Sequence, residues 1–385
     1  MDFHLTQEQT AFQDTVRKFA KRHLTDKALQ RAHNTTYPME VAELMADQGL
    51  FGITIAEIDG GQGGALTDAV IAIQAVAEVC PRSADVIQAG NFGPVRVLAE
   101  YGTDDQKRRY LSKLLTGRSV IAVAMTEPDA GSAVTDLRTS ATPDGEGFRI
   151  NGSKVFTTHG SVADVLLTYV RYGPGIDGIG SVLIERGMDG FTIGEPVRFL
   201  SGEEWAQLYF DDVYVGPENV LLEENGFRKQ IAGFNVERIG NAARALALGQ
   251  HAFNIARDHA QTRKQFGRLL CEFQGLQWKF ADMKIKLDAA ELLLYRAASN
   301  ADKYFSDSAE TSIAKAYCNE TGFSVASEAM QIMGGAGYSQ DNLVEYCFRR
   351  TRGWMIAGGS VEVMKNRIAE DVFDRRFPQR PPSTP

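Results

Sequence analysis

Apolar residues recur every three to four positions over both ends of the chain, a spacing that predicts amphipathic helices. In the first 120 residues the pattern is strongest over 66–80, an Ala-, Val- and Ile-rich stretch that Pro81 closes. The same periodicity returns from about 225 to 371. We predict long helices in that region near 226–262, 272–303 and 309–332.

Between these helical blocks, from about 121 to 222, short runs rich in β-branched and aromatic residues alternate with turn signals such as Asn151-Gly152. The runs cover 121–125, 148–150, 165–170, 179–184 and 207–215. This spacing is typical of a small antiparallel barrel or sandwich, so the chain is predicted to be mainly α with an antiparallel β middle domain. The predicted units are an N-terminal helical domain over 1–120, a β domain over 121–224, a helical domain over 225–371 and an unstructured tail over 372–385.

Composition and charge narrow the classes of function. The chain has 385 residues and a net charge of −8, and it has no polybasic block of the kind that binds nucleic acid or an anionic membrane. No run of eighteen apolar residues occurs and residues 1–24 have no secretory signal, so we expect no membrane insertion. The four cysteines form no Cys-x-x-Cys pair, which predicts reduced thiols in the cytoplasm and neither a disulfide framework nor a metal site.

Two motifs in the β block suit a flat ligand with polar edges. The stretch 124–132, Ala-Met-Thr-Glu-Pro-Asp-Ala-Gly-Ser, ends the first β-run, and the N–H groups of Gly131 and Ser132 suit an anion or a ring edge. In 151–158, Asn-Gly-Ser-Lys-Val-Phe-Thr-Thr, the Phe156 ring can cover a planar group while a hydroxyl bonds its edge. Taken singly, these motifs are equally well an ordinary strand-to-turn junction and a hairpin with a core phenylalanine.

Two further motifs lie in the C-terminal block. In Arg-Lys-Gln-Phe-Gly, Arg263 suits a pyrophosphate and Phe266 suits stacking on adenine, although the same residues would also end a helix at Gly267. The stretch 331–338, Gln-Ile-Met-Gly-Gly-Ala-Gly-Tyr, lets a backbone approach a phosphate or ribose closely. It follows a helix rather than a strand, so it is not a Rossmann fingerprint, and a plain helix–helix turn is the alternative.

Each of the four motifs is a weak signal alone, but all four occur in the order typical of one family. From about residue 3 to 371 the chain resembles the acyl-CoA dehydrogenases. The resemblance implies an N-terminal helical domain, a β middle domain and a C-terminal four-helix bundle, assembled as a homotetramer or dimer, with non-covalent FAD. It also implies an acyl-CoA substrate and an electron-transfer flavoprotein as electron acceptor. Two departures from the family pattern are Ala133, where Asp is usual, and His159, where Asn is common.

The likeness also implies roles for individual residues. Ser132 would face the substrate as well as the cofactor, and Asn235 and Arg238 match positions near the CoA moiety. The flavin would be held by Met125, Thr126, Ser132, Phe156, Thr158, Ser360 and Glu362. The adenine half would be held by Arg263, Phe266, Gln274, Gln331, Gly334, Gly335 and Gly337.

Removal of a proton from the α-carbon of a thioester needs a carboxylate in a dry site, where burial raises its basicity. Many family members place this Glu at the position that is Gly358 here, whose backbone N–H would hold the thioester oxygen. A subgroup that includes the long-chain and isovaleryl enzymes places it in a Glu-Arg pair on a helix, which matches Glu237-Arg238. Glycine cannot act as a base, so with Gly358 at the other position the resemblance implies Glu237 as the catalytic base. On a helix, Glu237 would share a largely apolar stripe with Phe234, Asn241, Ala245 and Leu248, which suits a raised pKa. A solvated Glu near a helix N-terminus is the alternative.

One local likeness concerns the acyl group. Arg82, in Cys-Pro-Arg-Ser-Ala with Gln88 beyond it, is similar to the Arg of glutaryl-CoA dehydrogenases that binds the distal carboxylate. A relative that acts on 3-sulfinopropionyl-CoA also uses an Arg in this region. We therefore expect an acyl chain that ends in an acid, of the succinyl or glutaryl type. The opposing interpretation directs Arg82 to water or to Glu78.

Two other functions stay open. The same scaffold could catalyse another reaction, such as 3-sulfinopropionyl-CoA desulfination or the O₂-dependent step of an acyl-CoA oxidase, although the retained Glu237 speaks against a base-free reaction. A non-catalytic flavoprotein that binds a macromolecule such as DNA is the second alternative, and the net charge of −8 argues against it.

Overall fold

The computed structural model describes residues 4–301 and 307–380. Its N-terminal part is helical, and a capping box between Thr6 and Gln9 starts the first helix. The helices are α1 (Gln7–Leu24), α2 (Ala28–Ala32), α3 (Met39–Ala46), α4 (Leu66–Ala77), α5 (Ala84–Asn91), α6 (Pro94–Tyr101) and α7 (Asp104–Leu115). Helix α4 is buried along nearly its whole length and packs on α1 and on α5, so it forms the centre of this part.

The middle part is one sheet whose strand order is β6-β8-β3-β2-β4-β5-β9, with β7 beside β8 and β1 beside β4. The strands are β1 (Ile121–Ala124), β2 (Ser140–Asp144), β3 (Gly147–Thr158), β4 (Val165–Arg171), β5 (Ile179–Glu185), β6 (Phe191–Ile193), β7 (Val197–Arg198), β8 (Glu204–Val215) and β9 (Val220–Leu222). Most neighbours are antiparallel, as predicted, but β1 is parallel to β4. The register of β3 and β8 shifts between Lys154 and Thr157, and this bulge leaves Phe156 exposed with a φ of +56°.

The C-terminal part is again helical, as its periodicity predicts. Its elements are α8 (Phe227–Thr262), β10 (Lys264–Gln265), β11 (Arg268–Leu269), α9 (Gln274–Ala301), α10 (Ser308–Met333), α11 (Gly335–Tyr338), α12 (Leu343–Trp354) and α13 (Val361–Val372). Helix α8 packs on α9, α10 and α12, and its other neighbours include α4, α5 and α6 of the N-terminal part and β5 of the sheet. A side chain on the first turns of α8 therefore lies where the three parts of the chain meet.

Helices α8 and α10 touch at backbone level, where two glycines face each other. A Cβ atom on Gly249 would lie 2.9 Å from the Cα of Gly322. A Cβ atom on Gly322 would lie 2.2 Å from the carbonyl oxygen of Ala245. Because neither position has room for a side chain, backbone contact sets the distance between the two helices.

The last described residues lie against the middle part rather than free in solvent. The guanidinium of Arg380 donates to the hydroxyl of Thr135 at 2.7 Å and pairs with Asp136. Residues 381–385 of the predicted tail lie outside the described residues. None of the described helices is long and apolar enough to cross a membrane. Within the same ranges, no group of three His, Cys, Asp or Glu side chains is arranged to hold a metal ion.

Candidate active site

Glu237 lies on α8 at the junction of the three parts, with its side chain 22% exposed. One carboxylate oxygen, Oε1, is 3.8 Å from Nη2 of Arg244, two helical turns further along α8. The other, Oε2, lies against Gly93 between α5 and α6, where a Cβ atom would be only 2.8 Å away. Gly93 has a φ of +63°, so the close approach of this corner to the carboxylate depends on a glycine.

Burial dominates the electrostatics of this carboxylate and raises the pKa of Glu237 to about 7. The positive charge of Arg244 is the largest opposing influence, and the Gln88 amide and Lys315 act in the same direction. The Gln88 amide lies beside the carboxylate, yet neither of its polar atoms makes a hydrogen bond of ordinary geometry within the described residues. The result is a carboxylate that changes protonation close to neutral pH, as a general base must.

The loop that carries Gly358 is held from two sides. The Nε of Arg238 donates to the carbonyl oxygen of Gly358 at 3.1 Å, and Nη1 of Arg238 donates to Asn235 at 2.7 Å. From α10, the Lys315 ammonium donates to the carbonyl oxygens of Trp354 and Gly359. Burial, helped by the positive charge of Arg238, lowers the pKa of Lys315 to about 7. Within the described residues the N–H of Gly358 donates no hydrogen bond, so it is free for a substrate oxygen.

Arg82 is buried in a cluster of charged side chains that joins all three parts of the chain. We call Arg82, Asp85, Glu203, Arg244 and Arg350 the interdomain ion cluster. Arg82 pairs with Asp85 at 2.8 Å and with Glu203 at 3.2 Å. Arg244 and Arg350 each reach Asp85 at 3.0 Å, and Arg350 also pairs with Glu203. Burial alone would raise the pKa of both carboxyls, but the guanidiniums, Arg350 foremost, hold both pKa values below their usual range.

The Arg82 guanidinium thus has its partners within the protein, in addition to the backbone oxygen of Thr36 at 3.2 Å. Neither interpretation of Arg82 from the sequence named these partners. Glu78, which one of them gave as the partner of Arg82, pairs with Arg17 instead. His159, which departs from the family pattern, lies beside the cluster with Nε2 3.5 Å from Glu203. Burial lowers the pKa of His159 to about 4, so the imidazole is neutral near pH 7.

The two predicted flavin motifs of the sheet lie side by side. The N–H of Val155 donates to the carbonyl oxygen of Thr126 at 2.8 Å, and the buried Lys154 ammonium bonds the carbonyl oxygen of Met125 and the carboxylate of Glu127. Phe156 is 55% exposed. Its ring packs against two further aromatic rings, Trp205 at 4.7 Å and Phe199 at 6.3 Å between centroids. Thr158, at the end of the strand, is half-buried, and Ser132 is exposed.

The predicted adenine contacts lie on the surface of the C-terminal helices. Arg263 caps α8, Phe266 is 94% exposed at the tip of the β10–β11 hairpin, and Gln274 begins α9. At the end of α10, Gln331 and the glycines at 334 and 335 are exposed, and a Cβ on either glycine would meet no atom within 4 Å. Gly337 is buried, and a Cβ there would lie 2.8 Å from Met333. A role of these residues in ending a helix is compatible with ligand binding, because the backbone makes the capping contacts and the side chains stay free.

Ser360 and Glu362 lie at the start of α13. The Ser360 hydroxyl accepts from the N–H of Val363 at 3.4 Å and so caps the helix, and Glu362 is exposed in its first turn.

These features fit FAD. A group of three aromatic rings, of which Phe156 is exposed and Phe199 and Trp205 are half-buried, is suited to a planar ring. The Thr157 hydroxyl oxygen is buried with no partner within the described residues. The open glycines on α10 and at Gly131 leave room for a backbone approach to polar groups. The flavin would be held by Met125, Thr126, Ser132, Phe156 and Thr158. The adenine half would be held by the predicted adenine contacts of the C-terminal helices described above.

The fold is helical–β–helical, a largely buried carboxylate has a pKa of about 7, and the sheet carries a group of aromatic rings suited to a planar ligand. These features are those of a flavoprotein oxidoreductase. Three family models together cover most of the chain: the acyl-CoA dehydrogenase N-terminal domain over 6–118, the middle domain over 122–213 and the C-terminal domain over 224–373. The chain therefore belongs to the acyl-CoA dehydrogenase family, and it is an FAD-dependent oxidoreductase.

Similar proteins cover its whole length. A short-chain-specific acyl-CoA dehydrogenase of Clostridium acetobutylicum is 34% identical over 97% of this chain and 100% of the relative. A 3-sulfinopropanoyl-CoA desulfinase of Paraburkholderia xenovorans is 32% identical over 98% of this chain and 99% of the relative. The structure of a glutaryl-coenzyme A dehydrogenase in its glutaryl-CoA complex matches with a TM-score of 0.93 and 29% identity, over 99% of this chain and 98% of that one.

Several residues of the site were not predicted. Arg244 is seven residues after Glu237 and so on the same face of α8, a spacing that would have singled it out. Asp85, Glu203 and Arg350 carry no such signal, because only the packing of the three parts brings them together.

Proposed function

We propose that this protein catalyses the α,β-dehydrogenation of an acyl-CoA thioester to the trans-2-enoyl-CoA, with Glu237 as the catalytic base. The observation that carries the proposal is a single carboxylate at the junction of the three parts whose pKa is about 7. At pH 7.5 a large share of Glu237 is ionised and ready to accept the α-proton. When bound, FAD accepts the hydride from the β-carbon.

The remaining residues act on the thioester. The free N–H of Gly358 would donate to the thioester oxygen as negative charge develops there, and Arg238 fixes this loop through the Gly358 carbonyl. Asn235 and Arg238 are tied to each other at 2.7 Å on the turn of α8 that carries the base, near the proposed CoA moiety. The pair is more than nine-tenths buried, so it orients the substrate with little loss of side-chain freedom on binding.

We propose that this chain shares the base position of the subgroup that includes the long-chain and isovaleryl enzymes. Support comes from Gly358, which cannot act as a base, and from the raised pKa of Glu237 on α8. The electrons would pass to an electron-transfer flavoprotein, and the free thiols of Cys80, Cys318 and Cys347 favour a cytoplasmic location.

The narrower proposal is a short acyl chain that ends in an acid. Its support is the two relatives whose names include such groups, 3-sulfinopropanoyl and glutaryl. The structure of the Arg82 site gives the acid-ended chain less support than the sequence around Arg82 does. A substrate acid would have to share the Arg82 guanidinium with Asp85 and Glu203. Desulfination is the second candidate reaction, and its support is the desulfinase relative at 32% identity.

A panel of CoA thioesters, read by bleaching of the flavin without oxygen, tests the reaction and the substrate together. We expect bleaching and an enoyl product with saturated thioesters, faster with succinyl- or glutaryl-CoA than with butyryl-CoA. Sulfite release from 3-sulfinopropanoyl-CoA without bleaching by any saturated thioester would instead favour the desulfinase. Peroxide formed at the bleaching rate in air would identify an oxidase. No bleaching by any thioester would favour a non-catalytic flavoprotein. Faster bleaching by butyryl-CoA than by succinyl- or glutaryl-CoA would contradict the proposal of an acyl chain that ends in an acid.

We also propose that copies of this chain assemble into a homotetramer or a dimer, and one apolar face of α9 supports such an interface. Trp278, Ile285 and Leu292 are spaced seven residues apart, so they lie on one face, and they are 62%, 66% and 50% exposed. A second copy of this chain would cover them.

Replacing Ile285 by Asp is expected to split the assembly, because it puts a charge in the middle of this apolar face. Light scattering after size exclusion would show a smaller species. The control is Lys284→Asp, one residue away on an exposed, charged position. A wild-type mass for Ile285→Asp would contradict an interface at this face.

A further inference from the structure

The Glu237 carboxylate has one close cationic neighbour, Arg244, whose own position is tightly fixed. Arg244 Nη1 donates to Asp85 of α5 at 3.0 Å. Its guanidinium stacks on the Trp354 ring of α12 at 4.8 Å, a ring on which Arg350 also stacks at 4.7 Å. With Nη1 and the flat face of the group occupied, Nη2 is directed towards Glu237 at 3.8 Å.

The interdomain ion cluster has more positive than negative side chains, and this imbalance connects Arg244 to Glu237. The cluster contains three guanidiniums, on Arg82, Arg244 and Arg350, and two carboxylates, on Asp85 and Glu203. The neighbouring His159 is neutral near pH 7, because its pKa is about 4. One guanidinium is therefore left without a carboxylate inside the cluster. Among the described residues that pair with these guanidiniums, Glu237 supplies the third negative charge, and it does so only while it is ionised.

We propose that Arg244 is a positioning residue that holds the Glu237 carboxylate ionised and oriented at the site of proton removal, and this inference rests on the proposed role of Glu237 as the base. Arg244 does not contact the substrate in this arrangement. It connects the base to Asp85, and through Asp85 to Arg82, Arg350 and the sheet residue Glu203. The orientation of the base is thus tied to the packing of all three parts of the chain.

The other groups around Glu237 leave this role to Arg244. From α5, Gln88 is neutral and makes no hydrogen bond of ordinary geometry within the described residues. From α10, Lys315 is positive only in part near pH 7 and uses its ammonium on the carbonyl oxygens of Trp354 and Gly359. Arg238 on α8 is directed to Gly358 and Asn235.

Loss of Arg244 should leave the cluster intact, because two guanidiniums then face two carboxylates. Arg244→Met keeps the length and the packing on Trp354 but removes the charge. The opposite charge within about 4 Å lowers a carboxyl pKa by about one to three units, so the pKa of Glu237 should rise from about 7 by at least one unit in the variant. Below this raised pKa the base is protonated and inactive.

The test is the pH profile of kcat/KM for a thioester that bleaches the wild-type flavin. Wild type should rise through a midpoint near pH 7, whereas Arg244→Met should rise at least about one unit higher. The variant would then be slower by about fivefold or more at pH 7 and recover most of the difference by pH 9. Arg244→Lys, which keeps a charge, should lie close to wild type. Arg257→Met, which removes an exposed guanidinium from the same helix, is the matched control and should not move the midpoint.

A second readout needs no turnover. The folded pKa of Glu237 lies above the usual carboxyl value, so the stability it contributes at low pH is lost as pH rises through about 7. A higher folded pKa enlarges this loss, so the melting temperature of Arg244→Met should fall more between pH 5.5 and 9 than that of wild type. Adding Glu237→Gln to Arg244→Met should remove the extra fall.

The outcomes separate this inference from the function on which it rests. A wild-type midpoint and rate in Arg244→Met, together with an inactive Glu237→Gln, would overturn the role of Arg244 and leave the base in place. Wild-type bleaching by Glu237→Gln would overturn the proposed function itself. If Arg244→Met fails to fold with FAD, Arg244→Gln is used for the same two measurements. A pH-independent loss of rate in that variant, with no change in midpoint, would also count against the inference.

Discussion

Glu237→Gln protein is expected to fold, bind FAD and bind acyl-CoA thioesters, yet to bleach its flavin roughly 10²- to 10⁴-fold more slowly than wild type. The glutamine amide has nearly the shape of the carboxylate and fits the same space between Gly93 and Arg244, but it cannot accept the α-proton. The measurement is the rate of flavin bleaching by a saturating thioester in a stopped-flow instrument without oxygen. Binding is followed separately, by the spectral change that a non-reacting thioester analogue causes.

The control for this prediction is Glu146→Gln, an exposed carboxyl in the turn between β2 and β3. It changes net charge by the same amount and should bleach at the wild-type rate. Bleaching of Glu237→Gln within a few-fold of wild type would assign proton removal to another group. Weak thioester binding together with slow bleaching would indicate a structural defect instead of the loss of a base.

Glu203→Ala is expected to be the most destabilising of the substitutions considered, at about 3–5 kcal/mol, because it leaves buried positive charge without compensation. Glu203 is 4% exposed and pairs with both Arg82 and Arg350, so its removal leaves three guanidiniums facing Asp85 and a partly ionised Glu237. The measurement is the shift in melting temperature of the FAD-loaded protein.

The matched control is Asp144→Ala. Asp144 pairs with Arg149 at 2.7 Å, but both side chains are about half exposed, so solvent screens the pair and its loss should change stability little. Equal and small losses for the two variants would mean that the interdomain ion cluster adds little to the stability of the native state.

The sequence was sufficient for the fold class. Apolar spacing predicted the long helices of the C-terminal part to within a few residues, for example 226–262 against the observed Phe227–Thr262. The order helical, β, helical is likewise that of the structure and of the three family models. Local pattern works here because each helix buries one face whatever its neighbours are. The exact domain boundaries and the roles of individual site residues remain predictions.

Local sequence patterns could not predict which residues that are distant in the sequence lie in contact in the fold. Alternation predicted strands but not that β1 would lie parallel to β4, because pairing depends on the path of the chain between them. Arg82 was predicted to bind a substrate acid or else to face water or Glu78, and its observed partners Asp85 and Glu203 could not be selected from among the acidic residues of the chain. Glu237 was selected through the family resemblance and the glycine at 358, whereas its raised pKa comes from burial, to which Gly93 of another part of the chain contributes by its close approach.

The glycine contact between α8 and α10 bears on how this protein can change over time. Because bare backbone fixes the separation of those helices at Gly249 and Gly322, apolar residues elsewhere in the bundle can be exchanged while α8 and α10 keep the same distance. The two glycines thus fix the position of α8, the helix that contains Glu237, against α10. Exchange of residues in the surrounding core is thereby uncoupled from the alignment of that helix.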